Sequence, residues 1–445
     1  MAAIICVNLF PGCATHIELD EKLIVQTVGI DCEEDEYTVT LQFFTQSTPS
    51  SDSGGNPPVY TISGKAKTLP EAVIRAEINS GRTVMFGECQ MLILGKDLNG
   101  SRFCDTIEIT MNQYESHPKI YIVASKDKAS DVLAVKYKEG SVSNYTTKRI
   151  IESSSEQGRS SLPMLFTVMR EFRTTLECGF LPQLEIVGGE KNGKSNEAQD
   201  NTSEAQDNKP NEKPKDSENS EKEAKTESPA QNADNANSKE SGPESGNESG
   251  NESGESDMTE DGRSIAFAGG ILLKRAKYLA TVNQETSAGI QWLKSNGINS
   301  KIMVNKEDVK DGMRETKEMV VGLYNLKTTL RTKLDEDGNL VLKVNCKTKA
   351  EYIQDRVTAE TLKEDEKIDE LTEKAIVKKL DDAFREVVNV HSCDCLNLEA
   401  IFRREHYDVW ESRVKDNPDN WEKMLSEAKA EITADVTVNR YGITW

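Results

Sequence analysis

Basic clusters, histidine, aromatic residues and long apolar runs are all scarce in this chain of 445 residues, and each shortage removes a class of function. The formal net charge is -21, and no Lys/Arg cluster forms a basic face, so nucleic acid is not a partner. After the first dozen residues no stretch reaches the 18 or so uninterrupted apolar residues of a spanning helix, so the chain is expected to sit beside a membrane rather than in one. Aromatic residues make up 6% of the chain, which disfavours an aromatic-lined ligand cleft between two lobes. The 9 Cys are irregularly spaced and form no disulfide framework. Nucleotide-binding loops, Gly-x-Ser-x-Gly and the metalloprotease helix motif are missing, so no catalytic residue is nominated. Of the 4 His, only His391 lies near other potential ligands, in His391-Ser392-Cys393-Asp394-Cys395. That spacing is tighter than Cys-x-x-Cys, and no second cluster completes four ligands. A loop of free or paired thiols is expected there, with no metal and no cofactor.

What is present begins at the N-terminus. A short apolar run from Ala2 leads through Leu9-Phe10-Pro11-Gly12 to Cys13. An apolar stretch, a small residue and then a cysteine form the pattern of a bacterial lipoprotein signal, in which the cysteine thiol takes a diacylglycerol. Residues 1–12 read as a truncated signal peptide, short of the usual ~15–30 residues and without Lys or Arg. Cys13 is the expected lipidation site.

A second feature is a segment that cannot fold by burial. Between Gly188 and Gly262 the only large apolar residue is Met258, and 20 acidic residues face 8 Lys, a net of -12 that leaves -9 for the rest of the chain. Such a composition cannot offset its ordering entropy, so residues 188–262 are expected to be a disordered acidic tether. Two copies of Glu-Ala-Gln-Asp-Asn, from Glu197 and Glu204, mark repeat expansion inside it.

Around the tether the patterns alternate between strands and helices. Leu23–Asp31 and Tyr37–Phe44 predict an antiparallel pair, Val59–Lys67 a strand, Leu69–Asn79 a helix, and Met91–Gly95 a short buried strand. A helix over Ser101–Tyr114 and a strand over Lys119–Ala124 complete a first mixed unit. Apolar positions in Pro163–Glu177 fall at helical spacing, and the tether is expected to join two strands of one small sheet, Leu184–Val187 and Ile265–Leu273, the second forming a hairpin with Tyr278–Val282. Downstream, Leu326–Thr332 and Leu340–Cys346 alternate with period two around an Asp-Gly turn, predicting a long hairpin. An apolar stripe from Ile368 to Val388 predicts a helix of about 25 residues. Asn417-Pro418 reads as a helix start, and Ile432–Val438 as a closing strand. The expected fold class is α+β and multidomain, with mixed and antiparallel sheets each flanked by helices and a long disordered acidic insertion. The domains are expected at 13–126 (α/β), 127–187 plus 263–299 (middle α/β), and 300–445 (antiparallel sheet and helix).

The order of local patterns resembles one family, the Ger(x)C lipoproteins, which are C subunits of nutrient germinant receptors in endospore-forming bacteria. The resemblance rests on Gly12-Cys13, on Gly29-Ile30-Asp31, on Gly64-Lys65-Ala66-Lys67-Thr68-Leu69-Pro70-Glu71-Ala72, and on Ser80-Gly81-Arg82 followed by Phe86, Gly87, Gln90, Ile93, Gly95 and Leu98. Beyond the tether it continues in Glu285-Thr286-Ser287-Ala288-Gly289-Ile290-Gln291-Trp292-Leu293-Lys294. Read physically, the glycines mark strand ends and a helix stop, and Trp292 and Leu293 mark core. Arg82 is the one charged member that could face a partner instead of forming a structural salt bridge. The resemblance implies a non-enzymatic subunit needed for nutrient-triggered germination. It would be lipid-anchored on the outer face of the inner spore membrane and assembled with two integral-membrane subunits, A-type and B-type. A solute-binding lipoprotein of a transporter is the alternative reading, and an extracytoplasmic enzyme the third.

Overall fold

The computed structural model describes residues 21–44, 59–96, 98, 101–112, 119–135, 143–172, 174–188, 262–275, 277–310, 313–352 and 365–438. Cys13, His16, His117 and the acidic tether lie outside them. Strands β1 (Lys22–Glu33), β2 (Glu36–Phe44) and β3 (Val59–Ala66) are followed by helix α1 (Leu69–Ser80), β4 (Thr83–Met85) and β5 (Met91–Leu94). Then come α2 (Ser101–Asn112), β6 (Tyr121–Ser125), α3 (Ala129–Ala134), α4 (Ser143–Glu156), α5 (Leu165–Glu171) and β7 (Gly179–Gly188). After the tether follow β8 (Arg263–Lys274), β9 (Lys277–Val282), α6 (Gln284–Lys294), β10 (Asn296–Lys310), β11 (Met313–Leu334) and β12 (Leu340–Tyr352). The chain continues through α7 (Asp365–Phe384), α8 (Leu398–Glu405), α9 (Tyr407–Arg413) and α10 (Pro418–Ser426) to β13 (Lys429–Val438).

β1 to β9 form one nine-stranded sheet in the order β3-β2-β1-β5-β6-β7-β8-β9, with β4 paired to the start of β1. Its centre, β1-β5-β6-β7, is parallel, and its flanks are antiparallel. The β1–β2 hairpin turns through Glu34 and Asp35, both at positive φ (47° and 68°), as a two-residue turn between right-twisted strands requires. Parallel strands need crossover helices, and these bury both faces of the sheet. Leu92 and Leu94 of β5 pack with Ala72, Ala76, Phe103 and Leu165 on one side, while Met91 and Ile93 pack with Val132, Leu133 and Ile151 on the other. This two-sided burial is why Met91–Leu94 reads as a continuous apolar run.

The strands that flank the tether pair antiparallel, with Gly188 opposite Arg263. They do not form the small separate sheet expected from their sequence. β7 joins β6 in parallel through Ala124–Gln183 and Ser125–Leu184, which gives the otherwise open edge of β6 a partner.

The second sheet has the order β10-β11-β12-β13. β10, β11 and β12 are antiparallel, and the Asp335–Asn339 turn joins the last two as the alternation predicts. The expected wholly antiparallel arrangement fails at β13, which runs parallel to β12 from Val341–Lys429 to Ala350–Val438. The connection between them contains α7 to α10, and a crossover of that length brings a strand back in the same direction. Along β12, buried Val344, Cys346 and Ala350 alternate with exposed Lys343, Asn345, Lys347 and Lys349, so one face is covered and the other open. The covered face shares its core with α6 (Trp292, Leu293), α7 (Ile376, Leu380, Phe384) and α10 (Trp421, Leu425), and with Phe180 of β7 and Leu272 of β8. Among the described residues no helix is long and apolar enough to cross a membrane.

Candidate functional site

The polar groups that sequence reading singled out near His391 converge on a buried junction where the C-terminal helices meet the ends of β7 and β8. α7 ends in a π-helical turn, Arg385–Val390, which places the Asn389 amide against the carbonyls of Leu425, Ser426 and Ala428 at 3.1, 3.3 and 2.9 Å. The chain then turns through Ser392 and Asn397, both at positive φ (46° and 59°). Between them Asp394 points inward and accepts from the amide N–H groups of Leu398 (2.6 Å) and Glu399 (2.8 Å) at the start of α8, and from Trp421 Nε1 (3.4 Å). A carboxylate at that place takes up orphan donors of the first helical turn.

Glu399 reaches the other way. Its carboxylate accepts from the Thr175 N–H (2.8 Å), the Thr175 hydroxyl and Trp410 Nε1 (3.1 Å). Lys274 of β8 donates to the His391 carbonyl at 3.0 Å and pairs with Glu422 at 2.8 Å. Lys294 pairs with Glu171 at 2.8 Å. The thiol of Cys393 lies against those of Cys178 and Cys395 and donates to the Leu273 carbonyl at 3.5 Å, all three cysteines being buried.

Burial sets the protonation of this junction. It pushes the Asp394 carboxyl up to about 7, although the two helix N–H groups pull the other way. Hydrogen bonding with Cys178 and Cys395, together with burial, holds the Cys393 thiol well above its ordinary value, so it is a protonated packing group rather than a nucleophile. For Lys294, burial works against the charge, but Glu171 outweighs it and raises the pKa. Among the described residues no group of three His, Cys, Asp or Glu side chains is arranged to hold a metal. His391 is half-buried and takes part through its backbone. His406 lies apart, its Nε2 3.1 Å from the Thr332 carbonyl and its ring beside Phe402. Chemically the arrangement is a clamp: oppositely directed carboxylates fasten α8 to the 174–178 segment.

The N-terminal motifs perform packing of a similar kind. Asp31 accepts from the Ala129 N–H (2.6 Å) and the Ser130 N–H (3.0 Å) at the start of α3. A Cβ at Gly95 would lie 1.9 Å from Asp31 Oδ1, and one at Gly64 would lie 2.1 Å from the Ala72 carbonyl oxygen, so helix and strand backbones touch at these glycines. α1 begins with Thr68 accepting from the Glu71 N–H and ends at Gly81, φ 64°, as its sequence predicts. Trp292 and Leu293 are fully buried, with Lys379 5.0 Å above the Trp292 ring. Arg82 is exposed, and its guanidinium makes no salt bridge with the described residues.

Glu399, Thr175, Glu171 and Cys178 belong to the clamp without having been singled out in the sequence. Their partners lie up to 224 positions away, so no local spacing could reveal them.

Comparison with known proteins adds a family to this geometry. Residues 15–186 match the description "Spore germination protein N-terminal domain", and residues 268–442 match "Spore germination B3/GerAC like, C-terminal". A curated relative, spore germination protein KC of Bacillus subtilis (strain 168), is 21% identical over 203 residues, covering 44% of this chain. The chain spans about half (50%) of that relative's length. The crystal structure of the GerBC protein is similar over 93% of this chain and 97% of that one, with TM-score 0.47 and 11% identity.

Proposed function

The chain belongs to the Ger(x)C spore germination family, and from that membership we propose that it is the lipid-anchored C subunit of a nutrient germinant receptor. The observation that carries this reading is that both halves of the chain, on either side of the tether, match the family in order. Cys13 holds the diacylglycerol and keeps the protein on the outer face of the inner spore membrane. Two integral-membrane subunits, A-type and B-type, are its partners, and it acts by holding them in a working geometry rather than by catalysis. The clamp supports that role, because its buried carboxylates are fully engaged by N–H and O–H donors instead of being aimed at a solvent-open pocket. Arg82, which is exposed and makes no salt bridge with the described residues, faces a partner in this reading.

The test is fractionation of spore membranes carrying Cys13→Ala. A diacyl anchor supplies two chains, whereas one chain binds only marginally. The variant is expected to leave the membrane fraction while remaining folded. An unchanged membrane fraction would refute the anchor.

A further inference from the structure

The sequence shows no basic cluster, yet the fold builds one. Cations stand two residues apart along β11 and β12, and the register sets Lys327 opposite Lys347 and Arg331 opposite Lys343 on the open face of the four-stranded sheet. With Lys301 of β10 and Lys349 of β12, cations outnumber the acids of that face, Glu318, Glu351, Glu431 and Asp435, in a chain whose net charge is -21. Like charges directly opposite one another destabilise a sheet. Lys347 is relieved by Asp435 at 3.2 Å and Lys343 lies 4.0 Å from Glu431, whereas Lys301, Lys327, Arg331 and Lys349 make no salt bridge with the described residues.

An apolar patch adjoins this stripe. Met303 and Val320 pair across β10 and β11, 61% and 37% exposed, and Tyr324 is 40% exposed on the same face. A Cβ at Gly322 would stand 3.2 Å from the Tyr324 hydroxyl oxygen, so the glycine leaves room for the ring to lie along the strand toward Val320. Apolar side chains and a tyrosine flanked by lysines suit a bilayer interface, where the ring sits at headgroup level and ammonium groups meet lipid phosphates. Binding to a nucleic-acid backbone would leave the Met303–Val320 centre unused. We propose that this open face docks on an anionic lipid bilayer, with Met303, Val320 and Tyr324 entering the headgroup layer and Lys301, Lys327, Arg331 and Lys349 meeting lipid phosphates. The proposal rests on the membrane reading above and adds which surface meets the lipid. A few exposed cations are largely screened at physiological salt. The face therefore orients a chain that Cys13 anchors and does not replace the anchor.

Co-pelleting of the unlipidated full chain, Cys13→Ala, with phosphatidylcholine vesicles that contain or lack phosphatidylglycerol tests the face independently of the anchor. Binding is expected at low salt to the anionic vesicles alone, and its loss at ~0.5 M salt follows from screening. Each cation near an anionic surface is worth about fivefold in affinity, so Lys327→Gln with Lys349→Gln should weaken binding about 25-fold. Met303→Ser with Val320→Thr should weaken it about tenfold by removing inserted apolar surface. Lys65→Gln with Arg75→Gln, the same charge change on β3 and α1, should leave it unchanged. All six positions are exposed, and unchanged melting temperatures check that the variants fold. No co-pelleting with anionic vesicles, equal co-pelleting with neutral ones, or binding that neither pair on the open face alters would overturn the proposal. So would loss of co-purifying membrane proteins from these variants with vesicle binding intact, because the face would then belong to a protein.

Discussion

The two sheets solve the burial problem in opposite ways. The parallel centre of the nine-stranded sheet is covered on both faces, and β5 contributes Leu92 and Leu94 to one core and Met91 and Ile93 to the other. The four-stranded sheet is covered on one face, and β12 shows Lys343, Asn345, Lys347 and Lys349 on the other. The nine-stranded sheet meets its neighbours through contacts so close that only glycine fits, as at Gly64 and Gly95. The four-stranded sheet has one covered face, and the helices over it are secured by the buried Asp394 and Glu399 anchors as well as by the close approach of Gly289 to Ala383. The difference shows that resistance to substitution should follow how closely a helix approaches each strand position rather than the length of the strands.

The largest test of that contrast inserts a side chain on each sheet. Gly64→Val would drive Cβ into the backbone of α1 and should cost about 3 kcal/mol in urea unfolding, by overpacking against atoms that cannot rotate away. Lys347→Thr on the open face of β12 should stay within about 0.5 kcal/mol. Equal effects would erase the distinction between the sheets.

A smaller effect separates the polar anchor from apolar packing. The folded Asp394 carboxyl titrates near 7, above its ordinary value of 3.8, so the folded state keeps a proton that the unfolded state releases between those values. Its contribution is fully present at low pH and is lost as pH rises toward 7. Measured between pH 5 and pH 8, the stability of the wild type relative to Asp394→Asn should fall by about 2 kcal/mol. Parallel pH curves for the two proteins would show that the anchor carries no such proton.

The smallest effect belongs to the tether. Because Gly188 and Arg263 are already paired in the sheet, the ends of the insertion are fixed by the fold. Replacing residues 192–257 with a short Gly/Ser linker should change stability by about 1 kcal/mol or less, a few degrees in the melting temperature. A larger loss would mean that the segment packs against one of the sheets.

Legibility in the sequence followed the same division. The alternation of Leu340, Leu342, Val344 and Cys346 exposes the β11–β12 hairpin directly, because one covered face leaves a period of two. Asn417-Pro418 likewise marks the start of α10, where the Asn417 side chain accepts from the Asn420 N–H. β10 was not legible, since its one apolar run, Ile302-Met303-Val304, is three residues long and flanked by polar residues. The parallel pairing of β13 and the continuity of β6 with β7 also escaped, because pairing partners far apart in sequence leave no local trace. At the clamp, Cys393 and Asp394 stood out by composition; the α8 amides that Asp394 takes up are only four and five residues on, whereas Cys178, beside Cys393, is set by the tertiary fold. Gly29-Ile30-Asp31 was visible as a motif, but its work as the cap of α3, 98 positions away, was not.

The central claim is that this chain works by assembly in a membrane. Affinity purification of the protein from detergent-solubilised spore membranes tests it most directly. The account predicts recovery of two integral-membrane proteins with it in comparable amounts, and recovery of the chain alone from those membranes would contradict it.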